Sequence, residues 1–295
     1  MSIQYAGGTI VNTTFTQSTG TLAEIVTNLA TQLTNAGWTV ASGSGGDQTL
    51  KSALTPQGSQ IQVRLYDPGG ANICARAQLK NVSGGATSQD IFLVPAVSKV
   101  WRVIANKYQF FCFTGSALAR EWLAGGNLFS PSWLTVSNNV AWIQGNAAAD
   151  GTTGAGTPSF RIGLSSANTS SNSSRQSHLV ADVLVDHSGS GSSATGAQAL
   201  VVPVGALPTS NGATTNYRWK DDSIILFEAM LGMGLPTTGS ECKIQGLIWD
   251  AFVANAEFAA DTTVTVDGHT FWCLTANNVG VTNQSNRGSL FVAVT

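Results

Sequence analysis

The six residues YQFFCF, Tyr108 to Phe113, constrain the fold more than any other stretch of the chain. Alternate side chains of a strand point to opposite faces, so Tyr108, Phe110 and Cys112 share one face and Gln109, Phe111 and Phe113 the other. Both faces are largely apolar, which is the pattern of a strand covered on two sides. The surrounding stretch, 108–133, gathers seven aromatic side chains, among them Trp122, Phe129 and Trp133. They are expected to be core or subunit contact rather than a platform for sugars or bases.

The clearest helix begins at Thr21. In TLAEIVTNLATQLTNAGW the residues Leu22, Ile25, Val26, Leu29 and Leu33 fall on one helical face. Thr21 and Glu24 form a capping box, and Gly37 stands where a left-handed residue closes a helix. After it come WTVAS, a glycine turn at 43–46, TLKSAL, QIQVRLY, the turn DPGG at 67–70, and NICARAQLKN. Ile61, Val63 and Leu65, then Ile73, Ala75, Ala77 and Leu79, alternate with mostly polar residues as half-buried antiparallel strands do.

A second short helix is predicted over 117–124, with Ser116 as N-cap and Gly125-Gly126 as the stop. The small-residue stretch 145–159 has no apolar periodicity and marks a boundary or long loop. The expected division is an N-terminal α+β domain over 1–145 and a C-terminal β-rich domain over 146–295, or one continuous domain. Beyond the boundary HLVADVLVD, ALVVPVGAL, SIILFEAML, KIQGLIWDAFV, TTVTV, TFWCLTA and SLFVAVT are short, β-branched or aromatic and separated by turn residues. The fold class expected is therefore β-rich α+β: a helix packed on an antiparallel meander, then a sandwich-like antiparallel region.

Charge then narrows function. Only 10% of the residues are charged and the net charge is −2, with 14 Lys and Arg against 16 Asp and Glu. An ordinary soluble domain carries about a quarter. There is no basic run to meet a phosphate backbone, so nucleic acid is not an expected partner. Low charge suits a protein that spends its life in an assembly, because little repulsion keeps copies apart. No basic region followed by an apolar one opens the chain, so no secretory signal is expected. The apolar stretch at 224–235 is too short for a bilayer and contains Glu228, so no membrane insertion is expected.

Candidate chemistry is sparse. His178, Asp182, Asp186 and His187 in HLVADVLVDH are the best metal candidates. Read as one strand, His178, Asp182 and Asp186 share a face but stand roughly 13 Å apart at each step, too far to hold one ion. Glu228, on the face of Ile224, Leu226 and Met230, is either a buried paired acid or a functional one. Asp221-Asp222 reads as a solvated loop. Cys74, Cys112, Cys242 and Cys273 lie in separate apolar runs, as buried thiols do. His178, His187 and His269 are scattered. No nucleotide, hydrolase or metalloprotease signature occurs, so no catalytic, cofactor-binding or metal residue is assigned and no cofactor is expected. Of the tryptophans, Trp38, Trp101, Trp122, Trp133, Trp142, Trp219, Trp249 and Trp272, several sit inside apolar runs where core or subunit contact is the default.

Three segments, LTNAGWTVASGSGGDQTLKSAL, KYQFFCFTGSALAREWLAGGNLFSPSWL and GHTFWCLTANNVGVTNQSNRGSLFVAVT, resemble virion structural proteins of tailed bacteriophages and prophages, of the tail, baseplate or neck kind. The resemblance touches the start, middle and end of the chain and carries no functional residue with it. It implies a non-enzymatic component of a symmetric particle, made in the bacterial cytoplasm, whose partners are other virion proteins and copies of itself. Alternative expectations are a host-surface glycan-binding tail protein using exposed tryptophans and the 145–198 loops, a capsid decoration protein, and a tail-associated depolymerase using Glu228.

Overall fold

The computed structural model describes residues 3–72, 74–80, 90–93, 97–114, 121–133, 141–145, 176–180, 184–188, 198–201, 226–234, 243–254, 261–274 and 289–295. In chain order the elements are β1 (Val11–Thr16), α1 (Leu22–Asn35), β2 (Thr39–Ser44), β3 (Asp47–Lys51), β4 (Gln62–Tyr66), β5 (Ala75–Lys80) and β6 (Ile91–Leu93). Then follow β7 (Val100–Ala105), β8 (Gln109–Thr114), β9 (Glu121–Asn127), β10 (Ala141–Gly145), β11 (Gln176–Val180), β12 (Leu184–Ser188) and β13 (Gln198–Val201). The last strands are β14 (Leu226–Gly234), β15 (Lys243–Ala254), β16 (Thr263–Val266), β17 (His269–Cys273) and β18 (Ser289–Ala293). The chain is thus β-rich α+β with antiparallel sheets.

These strands form three sheets. The meander β2-β3-β4-β5-β6 is one, β1-β7-β8-β9-β10-β11-β12 the second, and β13-β14-β15-β18-β17-β16 the third. The expected division at residue 145 falls between β10 and β11, which pair antiparallel from Ala141↔Val180 to Gly145↔Gln176 inside the second sheet. Among the described residues no helix is long and apolar enough to cross a membrane.

Helix α1 forms where its pattern predicts. The Thr21 side chain accepts from Glu24 N at 3.2 Å, and Gly37 takes φ +100 at the C-terminal end. The Glu24 carboxylate reaches beyond the usual capping box: it accepts from Ser18 N and Oγ, Thr19 N and Oγ1, and Gly20 N. Ile25, Val26, Leu29, Ala30 and Leu33 are buried. They fill a core with Leu50, Val63, Leu65, Ala77 and Leu79 of the meander on one side and Trp101, Val103, Phe110 and Cys112 of the second sheet on the other.

The opposite face of the second sheet carries Phe111, Phe113, Trp122 and Trp142, which pack on Ile248, Val253, Trp272 and Val292 of the third. Phe113 stacks on Trp272 with ring centroids 4.9 Å apart, while Phe110 meets Trp38 edge-on at 5.9 Å on the other face. The middle sheet is therefore sandwiched, and every residue of β8 is buried. That answers what the two apolar faces of YQFFCF are for: each is core of a different layer. At about 1.5–3 kcal/mol for each buried large side chain, this one strand couples both cores.

Over its described residues, 121–124, the helix predicted at 117–124 is not observed. From Glu121 the chain is strand β9, registered Phe113↔Trp122 and Gln109↔Gly126 against β8. Cross-strand pairing of large apolar residues outweighs the helix propensity of Glu121, Leu123 and Ala124 there. The two glycines are not a helix stop. A Cβ on Gly126 would lie 2.4 Å from Gln109 Cβ, and one on Gly125 would lie 2.8 Å from Trp142 O. Residues 115–120 lie outside the described residues.

Candidate functional site

The predicted site residues do not converge. HLVADVLVDH is not one strand: β11 and β12 form an antiparallel pair that sets His178 opposite Asp186 and Ser177 opposite His187. The separation of His178 and Asp186 expected along a single strand is replaced by direct cross-strand opposition, and Asp182 lies outside the described residues. Among the described residues no group of three His, Cys, Asp or Glu side chains is placed to hold a metal ion. Glu228 stands opposite Phe252 and is half-buried. Cys74, Cys112 and Cys273 are buried thiols. Trp38, Trp101, Trp122, Trp142, Trp249 and Trp272 are buried, whereas Trp133 is 58% exposed. Asp221, Asp222, Trp219 and Cys242 lie outside the described residues.

Among the described residues the deeply buried acid is Asp250, at 4% exposure. It sits in an irregularity of β15, where Glu228↔Phe252 and Met230↔Leu247 leave only Ala229 of β14 facing Ile248 to Ala251. Asp250 adopts φ +49, a left-handed conformation that Asp and Asn tolerate better than most residues. This turns its carboxylate toward two segments distant in sequence. Oδ1 accepts from Ala6 N at 2.8 Å and Oδ2 from Asn106 Nδ2 at 2.6 Å. Its own N–H donates to Gln4 O at 2.8 Å.

Asn106 and Gln109 extend this junction through the turn between β7 and β8. Asn106 Oδ1 accepts from Tyr108 N at 2.8 Å and Gln109 N at 2.9 Å, and its carbonyl takes the Trp38 Nε1 proton at 2.9 Å. The Gln109 amide grips the Trp249 backbone from both sides: Nε2 donates to Trp249 O, and Trp249 N donates to Oε1 at 3.1 Å. A buried side-chain amide thus stands in for a strand partner where β15 bulges. All three groups, Asn106, Gln109 and Asp250, are buried and hydrogen-bonded, as buried polar groups must be to avoid a net loss.

Burial pushes the Asp250 carboxyl above the usual 3.8, while the Ala6 N–H and Asn106 hydrogen bonds and the charges of His269 and Lys107 pull the other way. The cavity that Asp250 lines with Ile10, Ile104, Gln109 and Val292 measures about 10 Å³. That is space for roughly one water molecule and far below the several hundred Å³ of a ligand pocket. The arrangement is a clamp that joins two sheets and the segment ahead of β1. It lacks the space to seat a substrate.

The sequence carried a signal for Asp250: a lone acid within LIWDAF, inside a run otherwise fit for a central strand, where Asp is disfavoured. Nothing comparable marks Asn106 or Gln109. Comparison with known protein families and with characterised proteins gives no match to this chain.

Proposed function

We propose that the chain is a non-enzymatic structural component of a tailed-phage virion, in the tail, baseplate or neck, repeated around a symmetric particle and bound to copies of itself and to other virion proteins. One observation carries most weight. Among the described strands the six at sheet edges are β1, β12, β13, β16, β2 and β6. Only β12 contains a charged residue, Asp186, and none contains proline. Charges fall instead on interior strands, as in β3 (Asp47, Lys51), β4 (Arg64) and β5 (Arg76, Lys80). Free monomers commonly protect sheet edges with Lys or Pro, so this distribution favours edges that other chains cover. The low overall charge and the resemblance of the three quoted segments support the same role.

Cryo-electron microscopy of particles carrying this chain tests it. The expected result is density for these three stacked sheets repeated about the tail axis. A chain absent from purified particles contradicts it.

A further inference from the structure

Strand β1 is an outer edge of the second sheet, and the direction of its backbone groups follows from the residue after it. Gln17 N donates to Lys99 O at 2.9 Å and Gln17 O accepts from Ser98 N at 2.9 Å, so both groups point toward the β7 side. Backbone groups alternate in direction along a strand, so Phe15, Thr13 and Val11 also turn theirs to β7. Asn12, Thr14 and Thr16 therefore point their N–H and C=O groups away from the sheet, and all three residues are exposed.

Among the described edge strands β1 is the longest that is both regular and uncharged. Its ladder with β7 runs from Val11 to Thr16 without a register shift. β2 has the same length but is bulged between Val40 and Ser42, and a bulge turns an edge away from pairing. β12 carries Asp186, β13 and β16 have four residues each, and β6 has three. Symmetry then names the occupant. On a two-fold axis a residue meets its own copy, and like charges directly opposite repel, so a strand that pairs with itself has to be uncharged, as VNTTFT is. The three outward residues are centred on Thr14. Antiparallel pairing about Thr14 sets Asn12 opposite Thr16 of a second copy, and each outward residue finds a partner. On the other face it sets Thr13 opposite the copy's Phe15, whose ring stacks on Trp101 and is only half-buried.

We propose that β1 is a self-pairing edge: in the assembly it joins β1 of a second copy, antiparallel about a two-fold axis through Thr14, and runs the two 7-stranded sheets into one. Each pair of outward residues exchanges two backbone hydrogen bonds, and Thr14 beside its own copy is a favourable cross-strand pair. The contact is isologous and closes on two copies, which leaves the remaining edges to other neighbours. This rests on the assembly reading above.

The test uses the full chain under conditions where it associates. Thr14→Cys puts a thiol on the axis, where the two Cα atoms of a hydrogen-bonded pair stand about 5.5 Å apart, within the reach of a disulfide. Asn12→Cys and Thr16→Cys put exposed thiols roughly 13 Å or more from their own copies but opposite each other. Under mild oxidation, with the unsubstituted chain as blank, Thr14→Cys alone is expected to give covalent dimers. Asn12→Cys and Thr16→Cys are each expected to give none alone and to crosslink when mixed. Thr14→Pro removes the outward N–H and keeps the ladder with β7, and it is expected to weaken association about tenfold or more. Association without crosslinking at position 14, or with equal crosslinking at all three positions, overturns the self-pairing and leaves the assembly reading standing. A chain that never associates, alone or with virion proteins, overturns both.

Discussion

Asn106 and Asp250 meet through a 2.6 Å hydrogen bond across 144 positions of sequence, binding the β7–β8 turn of the middle sheet to the bulge of β15 in the third. Asn106 cannot turn its amide over to suit a different partner, because its Oδ1 already accepts from Tyr108 N and Gln109 N. Asp250→Ala therefore strands two buried donors, Ala6 N and Asn106 Nδ2, at about 1–3 kcal/mol each. Denaturant unfolding is expected to show a loss of that size.

The same carboxyl gives a pH dependence whose sign is fixed by its burial. Its folded pKa lies above the usual 3.8, so in the window between the two values the folded state holds a proton that the unfolded state has released. Stability contributed by Asp250 is present below that window and is lost as pH rises through it. Asp250→Asn, which keeps an acceptor for Ala6 and tolerates the left-handed backbone, is expected to flatten that slope. Unfolding free energies measured across the acid range check it, and an unchanged slope counts against the clamp.

Glu24 acts in the opposite sense. Hydrogen bonds from Thr19 and Ser18 hold its carboxyl down at about 2, from the usual 4.5. Its contribution is present above 4.5 and is lost as pH falls toward 2. Glu24→Gln removes that component. Side-chain carboxyl NMR is expected to show a Glu titrating near 2 in the native chain and missing from the variant.

Gly126→Ala tests the close passage of β9 over β8. The added carbon would lie 2.6 Å from Tyr108 O and 2.4 Å from Gln109 Cβ, neither a flexible side-chain end. Overpacking of this kind costs about 1–3 kcal/mol. Calorimetry is expected to show a lower Tm.

Phe110→Ala and Phe113→Ala remove rings from different cores. Each is expected to cost about 3–5 kcal/mol. A strand buried on one face only would show one large and one small effect in chemical denaturation.

The helix and the two-faced strand were legible because both depend on local periodicity: Leu22 to Leu33 at helical spacing, and Tyr108 to Phe113 alternating with apolar residues on both sides. Residues 121–124 misled because they close the helix-forming stretch SALAREWLA, while the partner that decides their state, Phe113 opposite Trp122, acts through pairing. His178 and Asp186 were separated by reading one strand where the chain makes two. The first strand, Val11–Thr16, was missed because it is short and half threonine, and its ladder with β7 supplies what its side chains do not. The Asp250 clamp was beyond sequence spacing altogether, since its three segments meet only once the second and third sheets stack.

Association of the purified full-length chain tests the central claim most directly. Mass photometry and sedimentation velocity from nanomolar to hundreds of micromolar concentration, with and without other virion proteins, read whether copies join. The account predicts closed or stacked multimers that bury the uncharged sheet edges. A chain that stays monomeric throughout, alone and with virion proteins present, contradicts it.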